Sequence, residues 1–377
     1  MPPITIMIKP VSGQCNMRCR YCFYADELRY RAEGMGKRMT PDTLEKAVRR
    51  VLRSADSAVQ FVFQGGEPTL AGLPFFEGLI RFQRMYGRAG LAVSNALQTN
   101  GLELSDEMIA FLARERFLVG VSLDGDALIH DQNRLDARGA GTYSRVKANL
   151  DRLIQAGAEC NVLCVVTREA AARPEKVFEA LRPYSWLQFI PCLDPLDGAQ
   201  MPCSLSGEDY ARFLCRIFDL YERAFYDEKP VSVRTFDNWL ALLLDRPPDS
   251  CAMCGQCGDS LMMEWDGSLY PCDFYGTDEW YLGNITETSF QKILSSPLEK
   301  KFRDRSRPVP ASCRACPWYA LCRNGCQRER GQDQVQRWCG AYRRFFEYAY
   351  PRLRAMAERL AVSRDQADIH GKAGAHP

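Results

Sequence analysis

Between residues 4 and 190 the chain alternates between short apolar runs of strand character and longer stretches of helical period, and this alternation narrows the fold more than any other feature. Strand-like runs fall at 4–9, 59–64, 92–98, 117–123, 161–167 and 186–190. Several are continuously apolar, as in Phe61-Val62-Phe63, which is the pattern of strands covered on both faces. Helical stretches lie between them. Thr40-Pro41-Asp42 offers a capping hydroxyl and a proline at the first helical position ahead of Leu44, Val48, Val51 and Leu52, which share one face. Ser105 starts a second helix with Met108, Ile109, Phe111 and Leu112, and Thr142 starts a third that Gly157 stops. Repeated strand-helix units give a parallel sheet with right-handed crossovers. About six units are present, fewer than the eight of a closed barrel, so the expectation is a partial (β/α)6 TIM-like barrel of the α/β class.

In such folds ligands bind at the C-terminal ends of the strands. The first strand runs into a loop with Cys15, Cys19 and Cys22. The others end in Gln64-Gly65-Gly66-Glu67-Pro68, Gln98-Thr99-Asn100-Gly101, Ser122-Leu123-Asp124-Gly125, Thr167-Arg168 and Cys192-Leu193-Asp194. These polar or glycine-rich tips converge on one rim.

After Ser206 the pattern changes. A long amphipathic helix carries Tyr210, Phe213, Leu214, Ile217, Phe218 and Tyr221, and a second helical stretch spans 235–244. The turn Asp245-Arg246-Pro247-Pro248-Asp249 marks a boundary. Residues 251–339 show little periodicity except a hairpin in which Asp266-Gly267 separates 261–265 from 268–270. A final helix is expected from about Tyr342, kinked or restarted by Pro351 and frayed after Ala361. The expected division is therefore 1–230 for the barrel, 231–250 for a helical linker, 251–340 for a cysteine-rich module, 341–360 for the last helix and 361–377 for a disordered tail.

A net charge of +2 argues against a dedicated nucleic-acid binder. No run of about 18 apolar residues is present to span a membrane, and the first residues lack a secretory signal pattern, so a cytoplasmic location is expected. Of the seventeen cysteines, three lie at 15–22 and nine between Cys251 and Cys339. Disulfides belong to oxidising compartments, which favours metal-bound thiolates here. Three thiols in eight residues can hold a metal centre that is one ligand short, although a zinc knuckle has the same spacing. Cys160, Cys164, Cys192, Cys203 and Cys215 read as small buried hydrophobes.

Cys15-x3-Cys19-x2-Cys22 followed by Phe23 resembles the signature of the radical S-adenosylmethionine (SAM) superfamily. The resemblance implies a [4Fe-4S] cluster on those cysteines and S-adenosylmethionine on its fourth iron, yielding a 5′-deoxyadenosyl radical. Gly65-Gly66-Glu67-Pro68 resembles the family's motif for the methionyl amino group. By similarity Tyr21 and Gly66, with Gly65 and Glu67 beside them, face the methionine, and Ser122, Arg134 and Leu193 contact its other portions. Each of these residues also has an ordinary reading as a turn, a strand-end hydrogen-bonder, a solvated charge or a core residue.

Cys257-x9-Gly267-x4-Cys272, then Cys313-x2-Cys316-x5-Cys322-x3-Cys326 and Cys339, resembles the SPASM auxiliary-cluster domain. Cys251 supplies an eighth thiol. The resemblance implies two further [4Fe-4S] clusters, making three in all, on Cys251, Cys257, Cys272 and Cys326 and on Cys313, Cys316, Cys322 and Cys339. Cys254 lies off the pattern, and a pair of zinc sites remains the plain alternative.

Stretches including Met1-Pro2-Pro3, Gln64-Gly65-Gly66-Glu67-Pro68-Thr69-Leu70-Ala71-Gly72, Cys192-Leu193-Asp194-Pro195-Leu196 and Tyr270-Pro271-Cys272-Asp273-Phe274-Tyr275 look like the anaerobic sulfatase-maturating enzymes. That resemblance implies an oxidoreductase converting a Cys or Ser of a nascent sulfatase, in a Cys/Ser-x-Pro-x-Arg type motif, to Cα-formylglycine. Asp273 would be the base and the auxiliary clusters the electron acceptors. A flavodoxin or ferredoxin as electron donor and a monomeric state are expected with it. Two rivals stand: another SPASM enzyme, for example one forming thioethers, and a noncatalytic metal-binding partner protein.

Overall fold

The structure, a computed structural model, describes residues 3–31, 37–227, 230–258 and 260–373, with side chains as far as Val362. Met1 and Pro2 of the first resembling stretch and residues 374–377 of the expected tail lie outside the described residues.

Six parallel strands form the barrel wall: β1 (Ile4–Lys9), β2 (Ala58–Phe63), β3 (Ala92–Thr99), β4 (Leu118–Ser122), β5 (Glu159–Val166) and β6 (Trp186–Pro191). A two-residue β7 (Ser232–Val233) pairs with β6. The crossover helices include α1 (Pro41–Ser54), α2 (Leu73–Tyr86), α3 (Asp106–Arg114), α4 (Tyr143–Gln155) and α5 (Pro174–Leu181), followed by α6 (Gly207–Phe225) and α7 (Arg234–Leu243). Thr40 and Ser105 accept from the backbone N–H of Thr43 and Met108, so both act as caps, as their sequence positions suggest.

Period-two alternation separates the two faces of the wall. Ile8, Phe63, Leu97, Val119 and Val162 are buried under the helices. Residues of the opposite parity, such as Gln64, Gln98 and Ser122, are half-buried, and Gln98 Nε2 donates to Ser122 Oγ at 3.2 Å across neighbouring strands. A polar lining on an apolar wall is what a ligand-binding barrel needs.

Three features differ from the expectation. The hairpin β8 (Leu261–Glu264) and β9 (Ser268–Tyr270) does not stand apart: β8 pairs in parallel with β1, and β10 (Gly283–Asn284) extends the edge. The result is one ten-stranded sheet in the order β10-β9-β8-β1-β2-β3-β4-β5-β6-β7. The cysteine-rich module also holds a ten-residue helix, α8 (Pro297–Ser306), whose signal is Ser296 capping Glu299 N–H ahead of a first-turn proline. Finally, α9 runs unbroken from Cys339 to Ala373 through Pro351, so the stretch expected as a tail from 361 is helical as far as Ala373. Phe345, Phe346, Ala349, Leu353, Met356 and Ala357 are buried on both sides of the proline, and this packing outweighs the lost hydrogen bond. Among the described residues no helix is long and apolar enough to cross a membrane.

Candidate active site and thiol clusters

The cysteine loop leaves β1 and is held by backbone on two sides. Gly66 and Glu67 N–H donate to Ser12 and Gln14 carbonyls at 2.8 Å each, and Arg18 and Arg20 N–H donate to Leu135 and Asn133 carbonyls at 2.7 and 2.9 Å. The approach at Gly66 is so close that an added Cβ would lie 2.1 Å from Gln14 O, while Gly65 holds φ +118°. These two glycines let the second strand's tip lie flat on the cysteine loop. Gly66→Ala should therefore push the loop away, costing about 1–3 kcal/mol as overpacking and lowering iron content after reconstitution, measurable by melting temperature and iron analysis.

Glu67 is buried and turned toward the third strand's tip rather than into the barrel. Its carboxylate accepts from Thr69 N–H, Thr69 Oγ1, Thr99 Oγ1 and Asn100 N–H at 2.7–3.0 Å. Asn100 Nδ2 in turn donates to Asn16 Oδ1 at 2.8 Å and lies 3.5 Å from Cys15 Sγ, which also accepts from Met17 N–H at 3.4 Å.

Cys15, Cys19 and Cys22 lie within one another's electrostatic reach, and burial pushes the Cys19 thiol up to about 12. A buried set of neighbouring thiols is costly to ionise unless a cationic centre replaces the protons, so the donor set suits a metal cluster. Beside it, Tyr21 OH donates to Asp124 Oδ2 and accepts from Arg134 Nη1 at 3.1 Å; all three residues are buried. Asp124 Oδ1 accepts from Val165 N–H at 2.9 Å. Gln14 Oε1, Asn16 Nδ2 and Arg134 Nε are buried without a hydrogen-bond partner. Orphaned polar atoms at this density fit a polar ligand over the loop. Leu193, at the β6 tip, is half-buried.

Asp273 opens a short turn after β9, adjacent to Cys272. Its Oδ2 accepts from Tyr24 OH at 2.8 Å and from Gln64 Nε2 at 3.4 Å, and Lys9 Nζ lies 2.9 Å from Oδ1. Lys9 also donates to Glu27 Oε2 at 2.9 Å and sits over the Tyr24 ring. Burial raises the Glu27 carboxyl, with Lys9 opposing and Asp273 adding to the shift. Burial likewise lifts the Tyr24 phenol well above its ordinary value, and Asp273 adds to it. The sequence singles out neither Tyr24 nor Glu27 nor Lys9 for the site, and it offers Gln64 only as part of the second strand's tip. The available signal is a lysine ending β1, where Thr5 is the one other polar residue.

Eight of the nine C-terminal thiols fall into two groups. Cys251, Cys257, Cys272 and Cys326 are electrostatic neighbours, with Cys254 beside Cys251. Gln327 Nε2 donates to Cys257 Sγ at 3.0 Å. Arg330 ties this region together through bonds to the carbonyls of Ser306, Gly255, Asn324 and Gly325 at 2.6–3.0 Å. Cys313, Cys316, Cys322 and Cys339 form the second group and line one cavity of about 160 Å³. Four thiols around one cavity are a donor set suited to a cubane cluster. Asp194 links this module to the β6 tip, accepting from Ser204 Oγ and Arg337 Nη2 at 2.6 Å each while its carbonyl accepts from Arg328 at 3.0 Å.

Comparison with known proteins agrees with this architecture. Residues 10–181 match the Radical SAM superfamily and residues 245–317 match SPASM, an iron-sulfur cluster-binding domain. The chain is 39% identical to the cysteine-type anaerobic sulfatase-maturating enzyme of Clostridium perfringens (strain 13 / Type A), covering 96% of this chain and all of that one. It is 30% identical to the serine-type enzyme of Klebsiella aerogenes over 95% of this chain and 88% of that one. The solved structure of native anSMEcpe with bound AdoMet and Kp18Cys peptide superposes with a TM-score of 0.90 at 39% identity, covering 95% of this chain and 100% of that chain. Streptococcus suis SuiB bound to S-adenosylmethionine shares the fold, with a TM-score of 0.64 at 15% identity over 89% of this chain and 76% of that one. With near-complete coverage, a radical SAM barrel and a SPASM domain in one sheet, the chain belongs to the anaerobic sulfatase-maturating enzymes.

Proposed function

We propose that this enzyme oxidises one cysteine of a sulfatase polypeptide, within a Cys-x-Pro-x-Arg type segment, to Cα-formylglycine. The observation that carries the reading is Asp273, a buried carboxylate held by Lys9, Tyr24 and Gln64 on residues drawn from both ends of the chain. The relative's structure with AdoMet and a cysteine-named peptide supports both ligands. Cysteine is favoured over serine by 39% identity to the cysteine-type relative against 30% to the serine-type one.

We assign Cys15, Cys19 and Cys22 to one [4Fe-4S] cluster, Cys251, Cys257, Cys272 and Cys326 to a second, and Cys313, Cys316, Cys322 and Cys339 to a third. Tyr21, Gly65, Gly66, Ser122, Arg134 and Leu193 would hold S-adenosylmethionine, and Glu67, which accepts from Asn100 N–H, would orient Asn100. Cys254 is the one thiol able to exchange roles with Cys251. The barrel domain is taken as 1–230 and the SPASM domain as 251–340. When loaded, these sites would supply hydrogen-atom abstraction from the substrate Cβ and a sink for the second electron.

The chain's own residues do the rest. Asp273 accepts the substrate thiol proton once the thiol lies within about 3 Å. Lys9 fixes the carboxylate by charge, and Tyr24 and Gln64 hold Oδ2 so that its orientation is set before substrate arrives. The barrel wall keeps the reacting carbon away from water until the thioaldehyde has formed. Hydrolysis of that thioaldehyde then supplies the aldehyde oxygen from water and expels the sulfur as hydrogen sulfide.

The test is an anaerobic assay with dithionite, using sulfatase peptides that differ only in Cys or Ser at the target. Aldehyde formation from the cysteine peptide, at least about tenfold faster than from the serine peptide, is expected. A thioether product without aldehyde would replace this reading with that of another SPASM enzyme.

A further inference from the structure

The whole chain carries a net charge of only +2, yet residues 301–344 contain eleven Lys and Arg against three Asp and Glu, leaving the remainder net negative. Part of this excess is internal. Arg330 donates to four backbone carbonyls, Arg328 to Asp194 O, and Arg337 pairs with Asp194 at 2.6 Å. Another part lies on α8, where Arg303 pairs with Glu299 at 2.8 Å, Arg307 pairs with Asp304, and Lys301 and Arg305 lie over the Trp280 ring. Three arginines remain beside the second thiol group. Arg343 is exposed and lines the cavity of Cys313, Cys316, Cys322 and Cys339; exposed Arg314 follows Cys313; half-exposed Arg323 follows Cys322. None of these three makes an ion pair among the described residues. Of the three acids, Glu329 is bonded to Trp338 Nε1 at 2.6 Å, Asp304 pairs with Arg307 at 3.1 Å, and Asp333 alone lies within electrostatic reach of Cys339. Exposed Ala315 and Pro317 border the same cavity, adding a small uncharged centre to a cationic rim.

We propose that this face is the docking surface for an acidic one-electron carrier protein, which exchanges its electron with the centre held by Cys313, Cys316, Cys322 and Cys339. The inference rests on the assignment of a cluster to those thiols. The chemistry requires such an exchange. The proposed function leaves one substrate-derived electron on the C-terminal centres, so an oxidised carrier docked here is reduced by one electron as the centre is reoxidised. A cationic rim around a redox centre steers an anionic partner into the productive orientation and releases it quickly, as suits a small, transient electron-transfer contact.

The experiment measures binding rather than turnover. Reconstituted enzyme and an acidic flavodoxin are mixed anaerobically, and the association rate and Kd are followed between about 0.02 and 0.5 M salt, a range over which the screening length falls from about 20 to 4 Å. Wild-type affinity should drop at least about tenfold across that range. The double variant Arg314→Glu/Arg343→Glu, with wild-type iron content and cluster absorbance, should lose about tenfold in association rate at low salt and converge with wild type at high salt. Salt-independent wild-type binding overturns the proposal, and remains decisive if the variant does not load iron. A variant that binds like wild type also overturns it, as does an acidic protein of equal charge without a redox centre binding as tightly as the flavodoxin. Peptide oxidation driven by dithionite needs no carrier, so its failure strikes the functional reading and not this surface.

Discussion

Asp273→Asn is expected to cut aldehyde formation by about a hundred- to ten-thousand-fold while leaving 5′-deoxyadenosine release largely intact. The amide keeps the shape of the carboxylate and can still accept from Tyr24 OH, which donates at 2.8 Å in the native protein. It cannot take up the thiol proton, and it gives up the charge that meets Lys9 at 2.9 Å. The cysteine loop, Tyr21 and Arg134 make none of their recorded contacts through Asp273, so cofactor cleavage should proceed. Quantifying both products from one anaerobic reaction decides the matter. Undiminished aldehyde would remove Asp273 from proton transfer, and loss of both products would make it a structural residue.

Lys9→Met is expected to cost about 3–5 kcal/mol in folding stability, the penalty for stripping the partner from buried charge. Lys9 is 2% exposed and lies 2.9 Å from carboxylate oxygens of both Glu27 and Asp273. Methionine fills the volume but leaves two carboxylates facing each other. The pH dependence follows from Glu27, whose carboxyl is already raised by burial. A carboxyl raised in the folded state contributes stability below its unfolded value, about 4.3, and loses that contribution as pH rises through its folded value. Removing Lys9 raises Glu27 further and extends the loss to higher pH. The deficit should therefore be smaller near pH 5 than near pH 8, as read from denaturant midpoints of the reconstituted protein. A deficit independent of pH would show that lost packing, not charge, sets the cost.

Much of the architecture was legible because its signals are local. The six strand runs recur in the structure within one or two residues, and the caps at Thr40 and Ser105 act as their positions suggest, since strand period and capping chemistry are properties of a few neighbouring residues. The amphipathic period of α8 is faint by comparison. Glu299, Lys300, Lys301, Arg303, Asp304 and Arg305 surround Phe302, the one large apolar side chain that the helix buries fully, so only the cap and the first-turn proline speak for it. The continuation of α9 through Pro351 has no local signal, because its compensation comes from a buried stripe against α6 and α7, which no window around the proline contains.

By itself the sequence determined the strand-helix order, the three-thiol loop after β1 and the glycines beside it, since each depends on spacing within a short stretch. Tertiary structure alone decided that Tyr24 and Asp273, 249 positions apart, share a hydrogen bond, and that Lys9 stands between two carboxylates. It did so by pairing β8 with β1, which carries the cysteine-rich module onto the barrel's edge and brings Asp273 to the end of the first strand. Strand pairing over such a separation is selected by the burial and hydrogen bonding of the whole sheet, and no local propensity encodes it.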